Sequence, residues 1–288
     1  MLKRALHLTL ILGAVLFPAS NLSAFQSNEL VQQTTVLYDG DLGGTPDAQG
    51  FDFIALASSA TQNFANGVTT LDTTAVQGDQ AGYFAKDPPD LDRQTGYTVQ
   101  FTIQTLEESH TTQHRAGFSL NVLSSDQQGI ELGFWSNEIW AQEGGTDNLF
   151  THAEGVVFDT TAALIDYELH ISADEYTLFA AGSEILTGAL RDYTALEGLI
   201  DPYEIPNLIF LGDNTSRGQA KANIAYVALQ TTTTPTSTPS PTATLESTPT
   251  QMSTPTPSPT ATPTITPTPT VQPTRSGFWW LPYTSGYP

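Results

Sequence analysis

The sequence predicts an all-β protein: an antiparallel β-sandwich of the jelly-roll type, followed by a disordered Thr/Pro-rich tail. Three observations support this prediction. Between residues 25 and 230, short runs of β-branched and aromatic residues alternate apolar and polar positions with a period of two. Turn-forming Gly, Asp, Asn and Pro separate these runs. From residue 231 onwards the chain is almost entirely Thr, Pro and Ser.

The alternation is clearest in residues 96–106, where Tyr97, Val99, Phe101 and Ile103 share one face. Thr and Gln occupy the other face, as expected for a strand with one buried side. Further strands are predicted over residues 116–123, 129–135, 137–142, 166–172, 175–181, 185–190, 206–211 and 222–229. A short helical turn is expected within residues 190–199.

Two sheets that pack face to face bury one face of each strand and leave the other polar, which is the pattern seen. The folded segment has about 200 residues, roughly twice the size of an immunoglobulin domain. This size favours a jelly roll over an immunoglobulin-like sandwich.

The segment before the sandwich, residues 1–24, has the composition of a secretory signal peptide. Lys3 and Arg4 precede an apolar run over residues 6–17, and small residues lead to Ala24. An uncleaved anchor is the alternative, although the run is shorter than the roughly 20 residues of a membrane-spanning helix. We therefore expect a protein that is exported to the cell surface or the medium, with no transmembrane helix in the mature chain.

The tail is predicted to consist of a disordered stalk, residues 231–274, and a short aromatic end, residues 275–288. Proline recurs in the stalk at intervals of two to eight residues and prevents helix and sheet, so the stalk acts as an extended spacer. It is either O-glycosylated or an unmodified linker. The end carries Leu281-Pro282-Tyr283-Thr284, the first four positions of a sortase signal, but Ser285 stands in place of the glycine. We expect a loosely ordered terminus there, and docking on a partner is the alternative.

Charge and cysteine content exclude several classes of function. The chain has 30 Asp and Glu against 9 Lys and Arg, a net charge of −21. Such a surface repels nucleic acid and anionic lipid. The absence of cysteine excludes thiol nucleophiles, thiolate metal sites and thiol redox chemistry. The sequence does not indicate an oligomeric state.

A family resemblance adds to this interpretation. The run RAGFSLNVLSSDQQGIELGFWSNEIWAQE resembles concanavalin A-like lectin and glucanase jelly rolls, and more narrowly the bacterial choice-of-anchor exported domains. The residues that carry the resemblance lie in 38–40, 47–51, 115–143, 187–193 and 206–216. The resemblance implies the fold, but little about activity, because the superfamily includes lectins, adhesion modules, hydrolases and lyases.

One group of side chains has the composition of a carbohydrate site, if the central strands are neighbours. Tryptophan rings stack on sugars, and charged or amide groups bind hydroxyls. The predicted ligand-binding residues are Arg115, Asn121, Glu131, Trp135, Trp140, Gln142, His152 and Glu154. The alternative is a structural ion pair between Arg115 and Glu131, with both tryptophans in the core.

No catalytic residues are assigned. Glycosidases of this superfamily keep acids in the order E-x-D-x-x-E, and Glu131 is instead followed by Leu132 and Gly133. Lyase chemistry with His152 as base and Arg115 as charge stabiliser requires a carboxylated sugar, which the acidic surface disfavours.

No cofactor is expected apart from a possible structural calcium ion. Oxygen-rich loops at Asp39, Asp41 and Asp47, or at Asp213 and Asn214, have suitable ligands. The alternative is that these side chains cap their own loops without metal.

The sequence thus predicts a secreted or cell-surface, non-enzymatic binding or adhesion module that recognises a glycan or another cell-envelope surface. A carbohydrate-active enzyme and a purely structural envelope protein are the alternatives.

Overall fold

The computed structural model describes residues 31–56, 59–144, 151–194 and 202–233. These residues form sixteen strands and three short 3-10 turns. The strands are β1 (Val31–Asp39), β2 (Phe51–Leu56), β3 (Thr61–Ala65), β4 (Val68–Asp72), β5 (Gln80–Ala85), β6 (Tyr97–His110), β7 (Ser119–Leu123), β8 (Gln128–Phe134), β9 (Glu138–Gln142), β10 (His152–Val157), β11 (Ile165–Ser172), β12 (Glu175–Ala180), β13 (Ser183–Ala189), β14 (Arg191–Asp192), β15 (Leu208–Asp213) and β16 (Gly218–Thr233). The 3-10 turns are Gly40–Leu42, Pro46–Ala48 and Pro202–Glu204.

The strands form two antiparallel sheets, which confirms the predicted sandwich. The first sheet has the order β13-β12-β11-β6-β16-β4-β3, and β1 pairs with β16. The second has the order β10-β9-β8-β7-β15-β5-β2, and β14 pairs with β8. Strands that follow each other along the chain repeatedly change sheet, as in a jelly roll.

The apolar positions of the alternating runs meet between the sheets. Phe101 of β6 stacks on Tyr167 of β11 with ring centroids 5.1 Å apart. Phe134 of β8 contacts Phe101 edge to face across the sandwich at 6.0 Å. Their complete burial shows that period-two alternation selected the correct inner face of these strands.

A second, smaller apolar cluster lies outside this core. It contains Leu123, Tyr193, Tyr203, Leu208 and Phe210. It covers part of the outward face of the second sheet, since Leu123, Leu208 and Phe210 belong to β7 and β15 of that sheet.

Several strands were not predicted from the sequence. β3 and β4 form a hairpin around Asn66 and Gly67, which have φ values of 54° and 78°. An Asn-Gly pair between two strands is a strong hairpin signal, so this element was predictable. The helical turn predicted within residues 190–199 was wrong for its described part, where Arg191 and Asp192 form β14 and pair with β8.

The end of the sandwich also differs from the predicted boundary at residue 230. β16 continues to Thr233, and its last residues pair with Val31–Gln33 of β1. Segments 1–24 and 275–288, and residues 234–274 of the stalk, lie outside the described residues. Among the residues that are described, no helix has the length and apolar character needed to cross a membrane.

Candidate functional site

A row of side chains runs across the outward face of the second sheet. Its members lie directly opposite one another on six neighbouring strands, in the order Phe84, Phe210, Asn121, Glu131, Gln142 and His152. One half of the row is aromatic and the other is polar. The structure therefore brings four of the predicted ligand residues, Asn121, Glu131, Gln142 and His152, into adjacent positions; we call these four the polar row.

The polar row is largely covered by the chain itself. Glu131 is 5% exposed, and Asn121 and Gln142 are fully buried. Tyr203, from the 3-10 turn before β15, extends over the row and donates its hydroxyl proton to Glu131 Oε2. These three residues therefore lie beneath other side chains, because a later segment of the chain packs on them.

Hydrogen bonds connect the row to two half-exposed side chains. With its carboxamide oriented so that both ends find partners, Gln142 donates to Tyr203 Oη (3.1 Å) and accepts from Arg115 Nη1 (2.8 Å). Asn214 Nδ2 donates to Glu131 Oε1 at 3.1 Å. Arg115 and Asn214 are therefore held at the edge of the row by buried groups.

Burial first, and the charge of Glu131 second, raise the pKa of Tyr203 well above its ordinary value. Tyr203 consequently remains a protonated donor at neutral pH. It is suited to hold Glu131 in place and unsuited to act as a base.

The two tryptophans pack against histidines at one end of the row. Trp140 stacks on His152 at 4.4 Å, and Trp135 stacks on His110 at 4.2 Å. Trp135 and Trp140 themselves contact at 5.5 Å. We call these four residues the tryptophan–histidine cluster. Trp140 is 2% exposed and offers no open ring face, whereas Trp135 is only half-buried.

Trp140 lies flat across β8 because the position beneath it is a glycine. A Cβ atom on Gly133 would come within 2.7 Å of Trp140 Cε2. Gly133 lies opposite Trp140 in the β8–β9 pairing, two residues after Glu131. This glycine therefore sets the position of the indole beside the polar row.

The loop between β6 and β7, residues 111–118, carries Arg115 and is called the Arg115 loop below. Trp135 Nε1 donates to the carbonyl oxygen of Arg115 at 2.8 Å. The backbone N–H of His152 donates to His114 Nδ1 at 3.2 Å. Both contacts fix the loop against β8 and β10, which brings Arg115 to Gln142.

Glu154, also predicted as a ligand residue, is occupied elsewhere. Its two carboxylate oxygens accept from Arg191 Nη2 at 2.8 and 2.7 Å, and Tyr176 of the first sheet donates to it at 2.8 Å. Partial burial opposes ionisation, but the bonds from Arg191 and Tyr176 outweigh it and lower the pKa of Glu154. This carboxylate joins the edges of the two sheets.

The predicted calcium ligands act as caps of their own turns. Asp39 Oδ1 accepts from the backbone N–H of Asp41 (2.9 Å), and Asp47 accepts from the Thr45 hydroxyl (2.5 Å). Within the described ranges, no three His, Asp or Glu side chains are grouped so that they can hold a metal ion. This geometry favours the alternative of loop caps.

The second pair of predicted calcium ligands is divided between two environments. Asp213 accepts from the Thr73 hydroxyl (2.8 Å) and from the backbone N–H of Thr215 (3.0 Å), whereas Asn214 bonds to Glu131. Burial raises the pKa of Asp213 well above its ordinary value. Because the two side chains have separate partners, this geometry also favours the alternative of loop caps.

No family model matches the chain, and no curated protein matches it in sequence. Some solved structures resemble it distantly, at low identity. A carbohydrate esterase from Shiga toxin-encoding bacteriophage phi24B is 11% identical with a TM-score of 0.48, covering 69% of this chain and 99% of the other. The Emp46p carbohydrate recognition domain is 10% identical with a TM-score of 0.45, covering 67% and 94%. Alginate lyase A1-II' is 10% identical with a TM-score of 0.39, covering 60% and 84%. These distant likenesses carry no argument about ligand or reaction.

Proposed function

We propose that this protein is a non-enzymatic binding module that recognises the hydroxyl groups of a glycan. The contact surface consists of Arg115, Asn214, Trp135 and His152, which are all half-buried. The buried row of Asn121, Glu131 and Gln142 does not touch the ligand in this proposal, but holds the contact residues in place.

The observation that supports the proposal is the convergence of Arg115, Gln142 and His152. Gln142 bonds to Arg115 and lies opposite His152, although these residues come from a loop and two strands. Preorganised donors beside a partly exposed aromatic ring suit a polyol, whose hydroxyls form directional hydrogen bonds and whose C–H faces pack on rings.

The carboxylates of the site disfavour hydrolysis. A glycosidase needs two carboxyl groups across the scissile bond, about 5 Å apart for retention. Glu131 is bonded to Tyr203 and Asn214, and Glu138 is bonded to His152 at 3.0 Å. His152, the base of the lyase alternative, stacks on Trp140 and faces the carboxylate of Glu138.

The net charge of −21 favours neutral glycans over anionic ones. A strongly acidic surface repels anionic polysaccharides unless cations intervene. Neutral glycans of a cell envelope are therefore the proposed ligand class. The signal peptide, the cell-surface location and the choice-of-anchor relationship belong to the same proposal and rest on the sequence alone.

A purely structural envelope protein is the second candidate, and one observation favours it. Tyr203 fills the space over Glu131 and Gln142, as expected of a face that serves stability. In that case Arg115 and Asn214 complete an internal network and touch no ligand.

Binding to a neutral glycan array distinguishes the two candidates. We expect Arg115→Gln and Asn214→Ala to weaken binding about tenfold or more, since each removes a hydrogen bond that is partly charge-assisted or preorganised. His170→Ala is the matched control, because His170 pairs with Glu168 at 3.1 Å on the first sheet, away from the site. If the folded protein binds no glycan, the structural candidate is favoured, and turnover of a polysaccharide favours the enzyme alternative.

A further inference from the structure

The Arg115 loop is held at its N-terminal side by two histidines whose hydrogen bonds require different protonation states. His114 lies in the loop, and His152 begins β10. Histidine is the side chain whose charge changes between about pH 5 and 8. The position of the loop therefore depends on which of these two rings is charged.

His114 has to be neutral to make its contact. Its Nδ1 atom accepts the backbone N–H of His152 at 3.2 Å. An accepting nitrogen needs a free lone pair, so the proton of the neutral ring is on Nε2. A second proton, placed on Nδ1, turns the acceptor into a donor that faces another donor, and the bond is lost.

His152, in contrast, satisfies more hydrogen bonds when its ring is charged. Its Nδ1 lies 3.2 Å from the carbonyl oxygen of Gln113, and its Nε2 lies 3.0 Å from Glu138 Oε1. Both neighbours are acceptors, so the charged ring satisfies both and the neutral ring only one. The charged ring of His152 therefore keeps its bond to Gln113 in the loop as well as its bond to Glu138.

Other charged groups lie around the pair. Glu138 from β9 is bonded to His152 Nε2, and Arg115 follows His114 directly in the loop. On β6, His110 faces Glu108 at 3.1 Å and stacks on Trp135.

We propose that His114 is an acid-sensitive contact that loosens the Arg115 loop when it becomes protonated, and so weakens binding at the site. The effect on binding rests on the proposed function, whereas the contact itself does not. The bond from Trp135 Nε1 to the carbonyl oxygen of Arg115 and the bond from His152 Nδ1 to the carbonyl oxygen of Gln113 do not require a neutral His114. Protonation therefore frees the His114 side chain and loosens the loop, which stays attached at these two carbonyl groups.

Hydrogen exchange of the His152 backbone amide tests the contact in the full chain without any ligand. We expect protection of this amide to fall about three- to tenfold, beyond the intrinsic pH dependence of exchange, between about pH 7.5 and pH 5. ¹⁵N shifts of the histidine rings are expected to show the Nε2–H form of His114 at the higher pH. His114→Gln provides a side-chain acceptor that does not titrate, and is expected to remove the pH dependence. His170→Gln, on the other sheet, is expected to retain it.

The proposal is overturned if protection of the His152 amide is independent of pH, or if His114→Gln responds to pH as the unaltered protein does. Circular dichroism at both pH values confirms that each variant is folded. If protection of the His152 amide depends on pH but the protein binds no glycan at either pH, the His114 contact is supported and the proposed function is rejected. If the protein binds glycan but protection of this amide does not depend on pH, the His114 contact is rejected and the proposed function is supported.

Discussion

Glu131 shows how a single residue acquires its role from distant segments. Its carboxylate is almost fully buried, and a buried charge is tolerated only when hydrogen bonds compensate it. Tyr203 and Asn214, which are 72 and 83 residues away in sequence, provide two of these bonds. The stability of the site therefore depends on the hydrogen-bonding groups of these side chains rather than on apolar surface that they bury at Glu131.

We expect Tyr203→Phe to lower the free energy of unfolding by about 1–3 kcal/mol, because it leaves the buried Glu131 with one donor fewer. Urea unfolding at neutral pH measures this change. Tyr193→Phe is the matched control: this ring stacks on Tyr203 at 5.0 Å, but its hydroxyl does not bond to the Glu131 carboxylate. Equal losses in the two variants would contradict the role given to the Tyr203 hydroxyl.

Glu154 allows a prediction about pH. Its pKa is lowered in the folded state, so its contribution to stability is present above the ordinary carboxyl pKa and is lost as the pH falls through the folded value. Glu154→Gln is expected to cost about 1–3 kcal/mol near pH 7, since Arg191 is 8% exposed and loses one of its two charged partners, the other being Glu143 at 3.4 Å.

The cost of Glu154→Gln is expected to shrink towards pH 3, where the native carboxyl is also protonated. Denaturant unfolding at both pH values measures it. Glu184→Gln, at an exposed position of β13, is the control and is expected to change little at either pH. A cost that does not depend on pH would argue against the ion pair.

At the scale of elements, the β8–β9 hairpin places the polar row and the tryptophan–histidine cluster beside each other. Alternation puts Glu131 and Gly133 on one face of β8, opposite Gln142 and Trp140 of β9. The large Trp140 side chain occupies the space that the missing side chain of Gly133 leaves free. The hairpin therefore packs as one unit and also positions the residues of the site.

Gly133→Ala is expected to destabilise the protein by about 1–3 kcal/mol, because the added methyl overlaps the Trp140 indole. Trp140→Phe removes part of that ring. The double variant Gly133→Ala/Trp140→Phe should therefore lose less than the sum of the single variants. Thermal unfolding with near-UV circular dichroism measures the cycle, and strict additivity would show that the two residues do not interact.

For the whole molecule, the long central strand β16 determines where the folded part ends. It pairs with β6 over most of its length and with β1 to Thr233. Val227 and Leu229 on this strand are buried in the core. The sandwich is thus closed by residues that directly precede the proline-rich stalk.

We expect a chain of residues 25–233 to unfold at the same temperature as one of residues 25–288. A chain of residues 25–226 loses the last pairs of β16 with β6 and β1, together with Val227 and Leu229, and is expected to show no cooperative unfolding. Calorimetry of the three chains measures this. A midpoint lowered by several degrees in the 25–233 chain would show that the C-terminal part stabilises the sandwich.

Most of the central strands were predictable because apolar and polar side chains alternate along them, which indicates the face that enters the core. Residues 97–103 of the first sheet also alternate in burial, whereas residues 130–134 of the second sheet are buried on both faces. β10 was missed because its residues lie at a sheet edge and are mainly half-exposed, which leaves no clear alternation. Of the candidate site, the sequence indicated residues that would share one face if the central strands were neighbours, but neither the cover over them nor the engagement of Glu154.

The sequence by itself determined the fold class, the inner faces of the central strands and the functions that its charge and lack of cysteine exclude. These properties depend on local period and on composition, which do not require knowledge of distant contacts. Only the tertiary structure decided that Tyr203 covers Glu131, that Glu154 pairs with Arg191 and that His114 meets His152. Such contacts depend on strand register and on the paths of loops, and no short stretch of sequence encodes either.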